Sequence, residues 1–200
     1  MKLFDPSLRV NLNPQNFALD EFVMLDVEAS GLGHSSYPVE VAFASSTGRQ
    51  ASYLIQPTSY WLAHGEWDEN AERLHGLSQQ TLLFTGSCIA NVAQQLNKYL
   101  CGKLVLCNDL AFDGFWLSQL FKAANTSVTF HLMDLSALFD FWGEQKKKVF
   151  KEEYGKTLNT NEHRALPDAK RFVETYQAFV KKQRLHSGLT TQAEQPPCKL

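Results

Sequence analysis

The sequence predicts a mixed α/β fold, a five-stranded sheet with helices packed on both faces. Three features point that way. The run FVMLDV at residues 22–27 is apolar on both sides of the two-residue strand period, as a central strand covered on both faces must be. VEVAFASS and ASYLIQP flank the turn STGRQ and make a hairpin, so the sheet opens antiparallel rather than as a run of βαβ units. Beyond residue 87, stretches of helical period alternate with short apolar runs, the pattern of strands separated by covering helices.

Taken in order, residues 1–20 mix Pro, Asn and isolated apolar positions and read as a loose lead-in, docked in part by Phe4 and Phe17. The domain proper spans residues 21–186. After the hairpin, WDENAERLHG reads as a short helix stopped by Gly76, with Ser78 capping the turn that follows. Ile89, Val92, Leu96, Tyr99 and Leu100 line one face of a longer helix that begins near Ser87. KLVLCN is a short strand, AFDGFWLSQLFKAAN the helix after it, and VTFHLMDL a further strand leading to a helix at LSALFDFWG. EQKKKVFKEEYGK is a charged helical piece whose KKKVFK run reads as a solvated face. The last helix is expected near Pro167, whose fixed φ suits a first helical position, with Phe172, Val173, Tyr176, Phe179 and Val180 as its apolar stripe. From Ser187 onward the chain is polar and Pro-rich, the composition of a disordered tail.

Composition bounds the function. The 200 residues carry 44% hydrophobic and 12% aromatic side chains, enough for one proper core. No apolar stretch approaches the roughly 20 residues of a membrane span, so no membrane role is expected. Cys88, Cys101, Cys107 and Cys198 show neither zinc-ligand spacing nor a disulfide framework and read as reduced thiols in a cytoplasmic protein. A formal net charge of −2 excludes bulk electrostatic coating of duplexes, so any nucleic acid must be held locally.

The chemistry starts from Asp26 and Glu28. Residues two apart on a strand share a face, so these carboxylates stand side by side at the end of an apolar run. Like charges held close repel, and one must protonate unless something positive lies between them. Two further acids sit at element boundaries: Asp113 in the first turn of the helix after KLVLCN, and Asp168 one residue after Pro167. Either alone has an ordinary reading as a partner of a helix dipole. That reading loses its force only in combination with the motifs that follow.

Three motifs now stand in order. LDVEASGLG holds Asp-x-Glu, NDLAFDGFW holds Phe-Asp, and HRALPDA holds a His five residues before an Asp. Together they resemble the DEDDh (DnaQ-like) 3′–5′ exonucleases, the group that includes the polymerase proofreading subunit, oligoribonuclease and ribonuclease T. LHGLS at residues 74–78 also resembles a His-Gly segment of that family. The resemblance implies a ribonuclease H-like fold, with Asp26, Glu28, Asp113 and Asp168 binding two divalent cations, Mg²⁺ or Mn²⁺, and His163 as the general base. Hard cations take oxygen donors, and a histidine with an ordinary pKa of about 6.5 accepts a proton at neutral pH. It further implies release of nucleoside 5′-monophosphates from single-stranded 3′ ends of DNA or RNA. His75 would border the terminal nucleotide, and the Ala29 backbone N–H would bind the 3′-hydroxyl; Phe112, just before Asp113, could pack on the last sugar or base or equally in the core. Ala29 and Asn108 depart from the family, where many relatives carry Thr or Ser and some carry His.

Other residues read more plainly. Trp61 and Trp67 flank a loop and could stack on a base, although Trp is more often core. SGLG lacks the lysine and the spacing of a phosphate-cradling loop. Two alternatives stay open: a nucleic-acid-binding scaffold with the same fold and no turnover, and a phosphodiesterase for dinucleotides. A homodimer stays open too, since some members of the family pair.

Overall fold

The computed structural model describes residues 21–157 and 163–186, and the lead-in at 1–20 and the tail from 187 lie outside them. Strands β1 (Val23–Ala29), β2 (Pro38–Ser45) and β3 (Gln50–Leu54) form an antiparallel meander. After four helices, α1 (Ser59–His64), α2 (Glu69–His75), α3 (Gln79–Thr85) and α4 (Ile89–Leu100), strand β4 (Leu104–Cys107) joins the other side of β1 in parallel. Helix α5 (Leu110–Ala123) returns the chain to β5 (His131–Asp134), which extends the sheet in parallel again. Helices α6 (Leu135–Trp142), α7 (Glu144–Tyr154) and α8 (Ala165–His186) complete the described chain. The five-stranded sheet runs β3-β2-β1-β4-β5, which places β1 at its centre.

The alternation along β1 divides the core. Val23, Leu25, Val27 and Ala29 face one side and pack with Val92, Leu96 and Leu100 of α4 and Leu117, Leu120 and Phe121 of α5. Phe22 and Met24 face the other side, where Leu135, Leu138, Phe150, Phe172 and Tyr176 bring α6, α7 and α8 together. Helices thus cover both faces, as the doubly apolar strand requires. On the α8 side Asp26 and Glu28 continue the face that Phe22 and Met24 begin.

Two helices more than the sequence predicts stand between β3 and β4. They are α1, capped by Thr58 Oγ1 accepting from the Trp61 N–H at 3.1 Å, and α3, capped by the expected Ser78 accepting from the Thr81 N–H at 3.1 Å. Gly76 ends α2 in the left-handed region at φ 70°, where a side chain would be strained. The last helix begins at Ala165 rather than at Pro167, because the N–H of Ala165 already has an acceptor in the Glu40 carboxylate. Trp61 and Trp67 are not free to stack on a base. Trp61 is 6% exposed and stacks on Tyr37 at 5.4 Å, while Trp67 donates its indole N–H to Glu72 and leans on the same Tyr37. Among the described residues, no helix is long and apolar enough to cross a membrane.

Candidate active site

The last residues of β1, the first turn of α5 and the first turn of α8 converge at the end of the central strand. Asp26 and Glu28 lie opposite Ala42 and Glu40 of β2, and the pairing becomes irregular between Glu28 and Ala29. Asp168 belongs to the first turn of α8, its N–H donating to the Arg164 carbonyl at 3.1 Å. Oxygens of Asp26, Glu28 and Asp168 all lie within 4.8 Å of one another. Asp113 lies outside this trio, yet its charge acts on Asp26 more strongly than that of any other acid. It is 5% exposed and accepts from the Asp109 N–H at 3.2 Å and from the Val27 backbone, which fixes it against β1.

Electrostatics mark these acids as a group. Burial pushes Asp26 well above the usual carboxylate range, and Asp113, Glu28 and Asp168 add to the rise in that order. Burial and the Asp168 charge push Glu28 up to about 7. Asp113 also rises to about 7, by burial, against the pull of its backbone hydrogen bonds. Asp168 is raised by burial, with His163 and Arg171 opposing. Carboxyls that hold protons near neutrality for want of positive charge are suited to a divalent cation, which would replace those protons. The donor set, all hard oxygens within one ion's span, fits Mg²⁺ or Mn²⁺.

His163 sits beside this nest, its side chain half exposed and its Nδ1 3.9 Å from Asp168 Oδ2. Phe112 is 39% exposed and lies 5.5 Å from the Trp116 ring, whose indole N–H donates to Ser36 Oγ at 2.9 Å. Ala29 is nearly buried at the end of β1, followed by Ser30, whose N–H donates to the Tyr37 carbonyl and whose Oγ accepts from the Tyr37 N–H. His75 is 2% exposed. Its Nδ1 accepts from the Leu77 N–H at 3.0 Å, and its Nε2 faces the Ala29 backbone without completing a hydrogen bond. The ring therefore approaches the strand end from inside the protein.

Two residues of the site escape sequence reasoning. Glu40, 2% exposed, lies opposite Glu28 and takes a two-pronged contact from Arg164: Nε to Oε2 at 2.8 Å and Nη2 to Oε1 at 2.9 Å. Ser52 Oγ and the Ala165 N–H fill the rest of its acceptor capacity at 2.7 and 3.2 Å. The one signal in the sequence is an acid in the middle of the apolar run PVEVAFA.

A family model described as an exonuclease, RNase_T, matches residues 23–176. Comparison with curated proteins gives no match. Among solved structures, zinc-bound E. coli exonuclease I in complex with single-stranded DNA is 14% identical with a TM-score of 0.63, covering 84% of this chain and 42% of that one. Exonuclease I of Methylocaldum szegediense is 11% identical with a TM-score of 0.58, covering 82% and 41%. The chain thus spans about two fifths of the length of these structures, and the likeness shows the fold. With Asp26, Glu28 and Asp168 meeting on this mixed sheet and the family model spanning all three motifs, the chain belongs to the DEDDh exonucleases of the RNase_T family.

Proposed function

We propose that this protein removes nucleotides from the 3′ end of a single-stranded nucleic acid, leaving nucleoside 5′-monophosphates, with two divalent cations and His163 as general base. The observation that carries the reading is the meeting of Asp26, Glu28 and Asp168 oxygens within 4.8 Å beside a half-exposed histidine. Asp26, Glu28 and Asp168 would hold the cations, with Asp113 completing the set. When bound, the cations would supply the positive charge that draws a phosphodiester to an acidic nest and offsets charge on the attacking and leaving oxygens.

The chain's own residues divide the remaining work. His163, exposed and ahead of α8, can approach a water near the scissile phosphate and take its proton. Asp168, 3.9 Å away, is beyond hydrogen-bond reach but close enough for its charge to favour the imidazolium that forms. The Ala29 backbone, at the irregular end of β1, would receive the 3′-hydroxyl, with His75 supporting that strand end from beneath. Phe112 offers a partly exposed ring to the terminal sugar or base. Solved neighbours that hold single-stranded DNA support the class of strand.

The test is a timed digest of 3′- and 5′-labelled DNA and RNA, single- and double-stranded, with Mg²⁺, Mn²⁺ or EDTA. Mononucleotides released first from the 3′ label, in metal and not in EDTA, are expected. Asp26→Ala should abolish release and His163→Ala should reduce it by about 10²–10⁴-fold, the usual size of a lost general base. Full activity in Asp26→Ala refutes the assignment. Strand binding without turnover would favour the scaffold, and cleavage limited to dinucleotides the small phosphodiesterase.

A further inference from the structure

We propose that Glu40 and Arg164 form a positioning clamp, holding the start of α8 on β2 and thereby setting where His163 and Asp168 stand relative to the strand carboxylates. The proposal rests on the exonuclease reading for what His163 and Asp168 do, and on the geometry alone for where they are held. Arg164 directly follows His163 and lies four residues before Asp168. Its guanidinium grips both oxygens of Glu40 at 2.8 and 2.9 Å, and the next N–H, that of Ala165, donates to the same carboxylate. The first turn of α8 is therefore tied at consecutive residues to one point on β2. That point is the register partner of Glu28.

Two features make the clamp more than a surface ion pair. Glu40 is buried, and a planar guanidinium meeting a carboxylate in two parallel hydrogen bonds fixes direction as well as distance. Ser52 Oγ supplies a further donor at 2.7 Å, so the Glu40 oxygens are fully engaged. Glu40 lies beside Glu28 and would otherwise compete for the same cations. Engaged in this way, it holds the helix instead of joining the trio of Asp26, Glu28 and Asp168. The clamp also brings a guanidinium near Glu28, where its charge opposes the rise that burial and the neighbouring acids cause.

The experiment compares Arg164→Lys, Arg164→Met and the double variant Glu40→Met/Arg164→Met with the parent. Readouts are melting temperature, Mn²⁺ affinity by electron paramagnetic resonance, hydrogen exchange of residues 165–169, and kcat and KM on a labelled oligonucleotide. The double variant leaves no lone buried charge, so it folds even where Arg164→Met does not. In it, Mn²⁺ affinity is expected to fall about 10–100-fold, as for lost partners of metal ligands. The amides of Ala165, Leu166, Asp168 and Ala169 should exchange faster, and kcat should fall at least tenfold with KM within about threefold. Arg164→Lys, which keeps the charge but not the fork, should recover part of the Mn²⁺ affinity. Exchange at 165–169 unchanged in the double variant, or parental Mn²⁺ affinity in it, overturns the clamp. A parent that binds Mn²⁺ but releases no nucleotide sinks the exonuclease reading instead, and leaves the exchange and affinity readouts to judge the clamp.

Discussion

Glu28 and Glu40 face each other across the β1–β2 pair, yet their carboxyls are under opposite constraints. Burial and Asp168 lift Glu28 to about 7. Burial alone would lift Glu40 too, but Arg164, Ser52 and the Ala165 N–H hold it below the usual range. The raised pair of Glu28 and Asp113 has a measurable consequence in protein stripped of metal. Their folded values of about 7 lie above their ordinary 4.5 and 3.8, so the native state keeps protons that the unfolded chain has released. The stability these two carboxyls contribute must then fall as pH rises from about 4 to 7, and Asp26, also raised, adds to the fall. Melting temperature in EDTA should decline across this window, and Mn²⁺ added at pH 7.5 should restore it; a flat profile in EDTA contradicts the placement of these acids. At this scale the sequence is informative where spacing is local. Asp26–Glu28 and His163–Asp168 are two and five residues apart and legible as motifs, whereas Glu40 and Arg164 are 124 residues apart and nothing near either announces the other.

Helix ends decide where the acids of α5 and α8 are held. Asp109 caps α5, its carboxylate accepting from the N–H groups of Ala111 and Phe112, and its carbonyl receives the N–H of Asp113. Asp134 does double duty, capping α6 through Ser136 at 2.7 Å and accepting the Leu110 N–H at the start of α5 at 2.9 Å. Removing either cap should cost about 1 kcal/mol. Asp109→Ala should also lower Mn²⁺ affinity, because Asp113 is held by the same turn, and Asp134→Ala should loosen two helices together. Urea melts and metal titrations of the two variants check both statements; unchanged stability in Asp134→Ala would remove its bridging role. Among elements, the long periodic α4 and the doubly apolar β1 are legible, while α1 and α3, of 6 and 7 residues, are too short to show a helical period. Their caps are written in the sequence, but a serine or threonine before a short stretch marks a turn as readily as a helix.

At the scale of the molecule, the sheet separates one apolar cluster under α4 and α5 from another under α6, α7 and α8. Leu120→Ala on the first side and Phe172→Ala on the second should each cost several kcal/mol, about 2–5 for the leucine and 3–5 for the phenylalanine. Their effects on the site should differ. Leu120 is fully buried on the inner face of α5, in the cluster that α8 does not join, so its loss should lower melting temperature with little change in Mn²⁺ affinity. Phe172 stacks on Tyr154 at 4.7 Å one turn beyond Asp168, so its loss should weaken both. Equal effects on metal binding would show that the two clusters are not independent supports. Which cluster takes which helix was beyond the sequence, because the apolar stripes of α5 and α8 fit either side until strand order is known. β1 carries one last consequence. Its odd positions feed one cluster, while its even positions pass from Phe22 and Met24 to Asp26 and Glu28. Excising a single residue ahead of Asp26 would turn both acids inward toward α4 and α5 and swing valines out to the site. Only changes of length in pairs keep the strand's acids on their own face, so single-residue insertions or losses are closed to this segment while ordinary substitutions remain open.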